Sequence, residues 1–201
     1  MGERDAKQLK ELYLPTDKEF VLVDVPEMQF AMIDGEGDPD SGAGARAVRW
    51  LFAAIYPMKR IAKEKMGKHF VEPPLEGLFW ADDMQDLVDG NRDRLKWRMM
   101  IVTPDWATEE LLTEGASAAA PRLGPIPESL RLENLHEGKS AQIMHIGPYR
   151  EEAAALAARL HHEYLPANDL TAHGHHHEIY LTDPNRVAPD KQRTVMRQPV
   201  K

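Results

Sequence analysis

The sequence contains no cysteine. That excludes a disulfide scaffold, a thiol nucleophile and any cysteine-ligated zinc or iron–sulfur centre. It fits a reducing compartment, and a cytoplasmic location is expected. No apolar run reaches the about 18 residues of a membrane span. The opening MGERDAKQLKEL is charged, so neither a signal peptide nor a membrane partner is expected. There is no excess of cations either: 25 Lys and Arg face 33 Asp and Glu, a formal net charge of −8. Without cations to displace counterions from a phosphate backbone, nucleic acid is not an expected partner. Also missing are a GxSxG elbow, a glycine-rich phosphate loop and an HExxH helix.

What is present describes a globular chain. At 201 residues and 42% hydrophobic, it can bury a core as one domain or as two small packed halves. Residues 1–12 read as a flexible, partly helical tail. EFVLVDV (Glu19–Val25) and MQFAMI (Met28–Ile33) read as strands, and DGEGDP from Asp34 reverses the chain. From Ala45 to about Lys65, Val48, Leu51, Phe52, Ile55 and Met58 recur at helical spacing. Pro57 within that stretch predicts a kink or two shorter helices. Leu75–Trp80 and Lys96–Thr103 read as an antiparallel hairpin, with a polar tip around Asp89-Gly90. A short helix at Thr108–Glu114 and an Ala/Pro/Gly-rich connector at about 116–128 follow.

In the remainder, Ser140–Ile146 reads as a strand, Gly147-Pro148-Tyr149 as a turn, and Glu151 to about Tyr164 as an Ala-rich helix. His176–Leu181 and Lys191–Arg197 read as strands. The order β-α-β-β therefore occurs twice, marked by Gly35, Glu76 and Pro104 and then by Gly147, Glu178 and Pro199. It predicts an α+β domain over 13–201 with halves at about 13–115 and 129–201. Pseudo-two-fold symmetry, a mostly antiparallel sheet, helices on one face and a central ligand pocket complete the expectation.

Strand periodicity sorts the candidate residues. His176, Glu178 and Tyr180 share one face, with His175, His177 and Ile179 on the other. Glu76, Leu78 and Trp80 likewise share a face. Each strand thus carries a carboxylate in phase with an aromatic. Two carboxylates in one apolar cavity diverge in proton affinity and suit acid–base work, and they attract an aromatic cation. The alternative is that Glu76 and Glu178 are solvated residues on strand edges. Trp50, Trp97, Trp106 and Tyr149 are either core or ligand walls, and Trp97, flanked by Lys96 and Arg98, is expected to face inward. Met99 and Met144, with Met28, Met32 and Met100, are core or an adaptable pocket wall. His173, His175, His176 and His177 suggest a transition-metal site. A strand sends consecutive histidines to opposite faces, so no metal is expected.

The strings PPLEGLFW (Pro73–Trp80), KWRMMIVTPDW (Lys96–Trp106), AQIMHIGPY (Ala141–Tyr149) and HHEIYLTDP (His176–Pro184) resemble the GyrI-like small-molecule-binding family. The stand-alone bacterial members are the best match. MIDGEGDP (Met32–Pro39) and RTVMRQPV (Arg193–Val200) extend the likeness over about Tyr13–Val200. The resemblance implies a duplicated β-α-β-β (SHS2-like) fold whose pocket takes flat, hydrophobic, often cationic drugs and dyes. It also implies an activity: some stand-alone members similar to this chain hydrolyse the strained cyclopropane of cyclopropanoid genotoxins. The residues so implied are Glu178 and Tyr180 for catalysis, with Glu76, Leu78, Trp80, Trp97, Met99, Met144, Tyr149 and His176 binding the ligand.

No cofactor is implied, and the protein is expected to be a monomer or a weak homodimer. Two alternatives accompany this reading: a protein that sequesters toxic amphipathic cations without chemistry, and a ligand sensor acting on a partner in trans.

Overall fold

The computed structural model describes residues 6–71, 73–83 and 91–201, so the expected hairpin tip around Asp89-Gly90 lies outside the described residues. Along the chain run α1 (Ala6–Tyr13), β1 (Val21–Val25), β2 (Met28–Glu36), α2 (Gly42–Met66), β3 (Leu75–Trp80) and β4 (Lys96–Val102). They are followed by α3 (Glu109–Leu123), β5 (Arg131–Leu135), β6 (Gly138–Ile146), α4 (Tyr149–Arg159), β7 (His176–Tyr180) and β8 (Arg193–Pro199). The class is α+β, as expected, and every described strand pairing between these elements is antiparallel.

The chain divides into two compact units. One is Met28–Leu135; the other joins the described N-terminal residues through Glu27 to His136–Lys201. This differs from the expected halves, because β1 belongs with the later residues. Its five residues pair with β6, from Val21↔Gln142 to Val25↔Gly138. In the first unit the strand order is β3-β4-β2-β5, and in the second β7-β8-β6-β1. In each unit the strand that precedes the helix lies between the last strand of the β-α-β-β run and a short edge strand.

In the first unit α2 and α3 cover one sheet face. Ala31, Ile33, Phe79, Trp97, Met99 and Ile101 pack there against Leu51, Ala54, Ile55, Met58, Leu112 and Ala116. Gly35 sits opposite Trp97, and a Cβ at Gly35 would lie 2.1 Å from the indole ring, so the ring occupies the space a side chain would take. Two expectations are corrected here. Pro57 does not split α2, which runs unbroken for 25 residues; its buried stripe, including Ala53, Ala54, Met58 and Ile61, passes Pro57 and outweighs the one lost backbone bond.

The connector expected over 116–128 is mostly helix. Alanine is the best helix former, and the Thr108 hydroxyl caps α3 by accepting from the Leu111 N–H at 3.3 Å. Its small residues serve close packing: a Cβ on Gly115 would stand 2.4 Å from the Ala54 carbonyl oxygen of α2.

In the second unit α4 continues through a π-helical turn, Leu160–Tyr164, and a last α-helical turn, Leu165–Ala167. Together they cover Ala141, Ile143 and Met196. The opposite face carries Met144, Ile179 and Val195, against which Tyr13 of α1 packs. The helix expected within residues 1–12 is thus present from Ala6, but it is packed against the sheet rather than left as a tail, and Leu12 is fully buried.

A buried polar network anchors that helix. Arg197 donates to the Leu12 carbonyl at 2.6 Å, to Gln142 Oε1 at 3.0 Å and to Glu137 Oε2 at 3.1 Å. Gln142 donates to the Glu11 carbonyl at 2.6 Å, and His177 Nδ1 lies 3.0 Å from Glu137 Oε1.

Burial alone would raise the Glu137 pKa. The opposing effects of His177 and Arg197 win, holding the carboxyl at about 2 against an ordinary 4.5. A depressed carboxyl stabilises the fold above its unfolded pKa and loses that contribution as pH falls toward its folded one. The urea midpoint, followed by far-ultraviolet circular dichroism, is accordingly expected to drop between about pH 4.5 and about 2. A Glu137→Gln variant is expected to start lower and to lose less in this window. An equal drop in both proteins would remove Glu137 as the cause.

Candidate functional site

The segment HHEIY forms β7, and its alternation divides the histidines as expected. His177 points into the buried network on the α1 side, with Ile179 on the same face. His176, Glu178 and Tyr180 take the other face, where Glu178 stands opposite Met196 and Tyr180 opposite Thr194. Met196 lies under α4, so the Glu178 face is the helix-covered one.

Four side chains meet there. The Tyr180 hydroxyl donates to Glu178 Oε2 at 2.5 Å. His176 Nε2 lies 3.3 Å from Glu178 Oε1 and 3.4 Å from the Tyr149 hydroxyl. Tyr149 opens α4 after the Gly147-Pro148 turn and is 7% exposed, as is His176. Burial first, and the Glu178 carboxylate second, hold the Tyr149 phenol protonated well above its ordinary range. The Glu178 side chain keeps 16% exposure, which leaves it reachable from solvent. The His145 ring meets Tyr149 edge-on at 5.5 Å.

The sequence pattern missed His161. It lies in the π turn, near enough to His176 to feel its charge; burial, then His176 and His162, lower its pKa below the ordinary 6.5. The signal was available. The buried leucines Leu160 and Leu165 are five apart rather than four, and the Leu165 N–H donates to the Leu160 carbonyl, the i→i+5 bond of a π turn. Such turns recur at functional sites.

The remaining candidates do not join this group. Glu76 is fully buried on β3, and Leu78 is 2% exposed. Their cross-strand partners, Met100 and Arg98, lie on the face away from α2 and α3. The expected equivalence of the two carboxylates therefore does not hold: Glu178 is on the face that α4 covers, whereas Glu76 is buried on the face away from α2 and α3. Trp80 shares the Glu76 face, with the Arg98 guanidinium 6.0 Å from its ring centroid. Trp97 and Met99 lie one residue out of phase with Arg98 and belong to the core beneath the helices, not to the Glu76 face. Met144 packs with Ile179 and Val195 on the face opposite Glu178. Strand alternation is the cause in each case.

Among the described residues, no group of three or more His, Asp or Glu side chains is placed to hold a metal ion. Nor, among them, is any helix long and apolar enough to cross a membrane. What the four side chains offer is a carboxylate with one oxygen held by a phenol and the other beside an imidazole. A second, protonated phenol stands within reach. A carboxylate so placed can accept a proton or pair with a cation, while the buried phenol can donate to developing negative charge.

This α+β fold, with its partly buried acid–phenol cluster, is the frame for the class of protein: a small-molecule-binding domain, by the family the chain matches. The chain belongs to the GyrI-like family: the model of the GyrI-like small molecule binding domain matches residues 18–201. An uncharacterized conserved protein from Listeria innocua is similar at 34% identity, with 97% of this chain and 98% of that one covered and a TM-score of 0.85. A hydrolase from Listeria innocua is 33% identical over 97% of this chain and 98% of its own, with a TM-score of 0.79. The EcmrR C-terminal domain shares the fold, at 12% identity and a TM-score of 0.55, over 91% of this chain and 97% of that one. No curated protein matches the chain.

Proposed function

We propose that this protein binds flat, hydrophobic, often cationic aromatic molecules at the Glu178 cluster and hydrolyses the cyclopropane of cyclopropanoid genotoxins. The observation that carries this reading is the Glu178 carboxylate, held between Tyr180 and His176 beside a phenol, Tyr149, that burial keeps protonated. The likeness to a hydrolase from Listeria innocua supports it. Matching strand orders in the two units support a duplicated β-α-β-β origin. The protein would act in the cytoplasm, as a monomer or weak homodimer, with no cofactor.

In the proposed reaction Glu178 accepts a proton from water as the water oxygen bonds to the cyclopropane methylene. The ring carbon–carbon bond breaks. Its electron pair moves through the dienone to the carbonyl oxygen, which becomes a phenolate and then takes a proton. The net change is addition of one water. Tyr149 is the better donor to that oxygen, because the Tyr180 hydrogen is already given to Glu178.

Incubation with a spirocyclopropyl dienone in isotopically labelled water, followed by chromatography and mass spectrometry, tests this. One labelled oxygen on the opened methylene is expected. Saturable binding with the ligand unchanged would leave a sequestering protein or a sensor. Absence of both product and binding would overturn the reading.

A further inference from the structure

Leu14 and Ile146 are large aliphatic side chains left 52% and 44% exposed. Both line one groove of about 580 Å³, whose floor is completed by Leu181. That floor continues the packed cluster of Met144, Ile179 and Val195, so the groove opens on the α1 face of the second unit, opposite Glu178. Its rim has a different chemistry. Lys191 and Arg193 stand there with one acid, Asp190, and neither cation forms an ion pair among the described residues.

The rim is built by the chain. Pro189–Lys191 is a 3-10 turn. The Arg193 N–H is bound by the Thr182 hydroxyl at 2.9 Å, and Gln192 reaches the Pro184 and Val187 carbonyls. Arg193 is also the cross-strand partner of Ile146, which puts a guanidinium-bearing residue directly beside the aliphatic floor.

We propose that this groove is a second binding site, for a free single-chain aliphatic anion, an alkyl carboxylate of medium length. The chain lies on Leu14, Ile146 and Leu181, and the carboxylate meets Lys191 and Arg193. Charge complementarity selects the anion, since two cations face one acid. A water-sized group takes roughly 30 Å³, so a chain of about ten carbons fits the volume. The charge preference is opposite to that of the Glu178 cluster, so the two sites discriminate between ligand classes.

Isothermal titration of the full chain with decanoate below its micelle concentration tests the assignment. Decyltrimethylammonium and butyrate serve as comparisons. Decanoate is expected to saturate a single site, and both comparison ligands to bind at least about tenfold more weakly. Arg193→Ala and, independently, Lys191→Ala are each expected to weaken decanoate by about tenfold, and Ile146→Ser likewise. Glu178→Gln is expected to leave decanoate affinity unchanged. The proposal falls if decanoate does not saturate or if the alkylammonium binds equally well. Loss of the binding in Glu178→Gln but not in Arg193→Ala also overturns it.

Discussion

In the Glu178→Gln variant, opening of a spirocyclopropyl dienone is expected to slow by about a thousandfold, a loss of about 4 kcal/mol of transition-state stabilisation. The amide keeps the size of the side chain and can still accept from Tyr180, whose hydroxyl is 2.5 Å from Glu178 Oε2. It has no basic oxygen with which to take a proton from water. Because shape is kept, affinity for a neutral aromatic ligand is expected to change by no more than a few fold, whereas a cationic one loses about tenfold. Single-turnover rates and equilibrium titrations of the same preparation separate the effects. A native rate in Glu178→Gln would remove the carboxylate from the chemistry. Tyr149→Phe is the companion variant; it takes away the buried phenol whose proton burial and Glu178 both retain. It is expected to slow the reaction without altering affinity.

The second large effect is on stability. Arg197→Ala is expected to cost about 3 kcal/mol, because it takes from Glu137, a buried carboxyl 3.1 Å from the lost guanidinium, one of its two partners and leaves His177 alone to hold it. The same change withdraws the donor to the Leu12 carbonyl and with it a tie to α1. Replacing both partners by apolar residues of similar size, Arg197→Met with Glu137→Leu, is expected to recover part of the loss, since carboxylate and guanidinium leave together while His177 loses its Glu137 partner. Urea unfolding measured by circular dichroism reads both units. All four tryptophans lie within Met28–Leu135, so their fluorescence reads the first. A cost below about 1 kcal/mol would mean that the network holds nothing together.

The strands and their faces were legible in the sequence where alternation was clean. Glu178 and Tyr180 were placed together, and His176 was separated from His177, by period two alone. Helix interiors were less legible. The Ala-rich stretch of α3 reads as a connector because Pro121, Gly124 and Pro125 punctuate it; only the close approach of Gly115 to Ala54 explains why small residues are needed there. Glu76 shows the limit of matching two half-sequences by eye. One residue of offset moves a side chain to the opposite sheet face, so a carboxylate at a similar place in the order came out on the wrong side. The Glu137–Arg197 pair had no signal at all, since its members are remote in sequence and meet only when β6 and β8 pair.

The placement of β1 has a bearing on how the molecule is made. A ribosome delivers residues in order, and the contiguous first unit has all of its strands once Leu135 has emerged. The second unit is assembled out of order. Val21–Val25 emerges early and waits for β6, while the Leu12 carbonyl waits for a guanidinium 185 positions later. Until then Leu12, Phe20 and β1 lack the surface that buries them. The segment from Leu12 to Val25 is therefore secured only after β6 and β8 have been made, and it stays without those partners while the first unit is being completed.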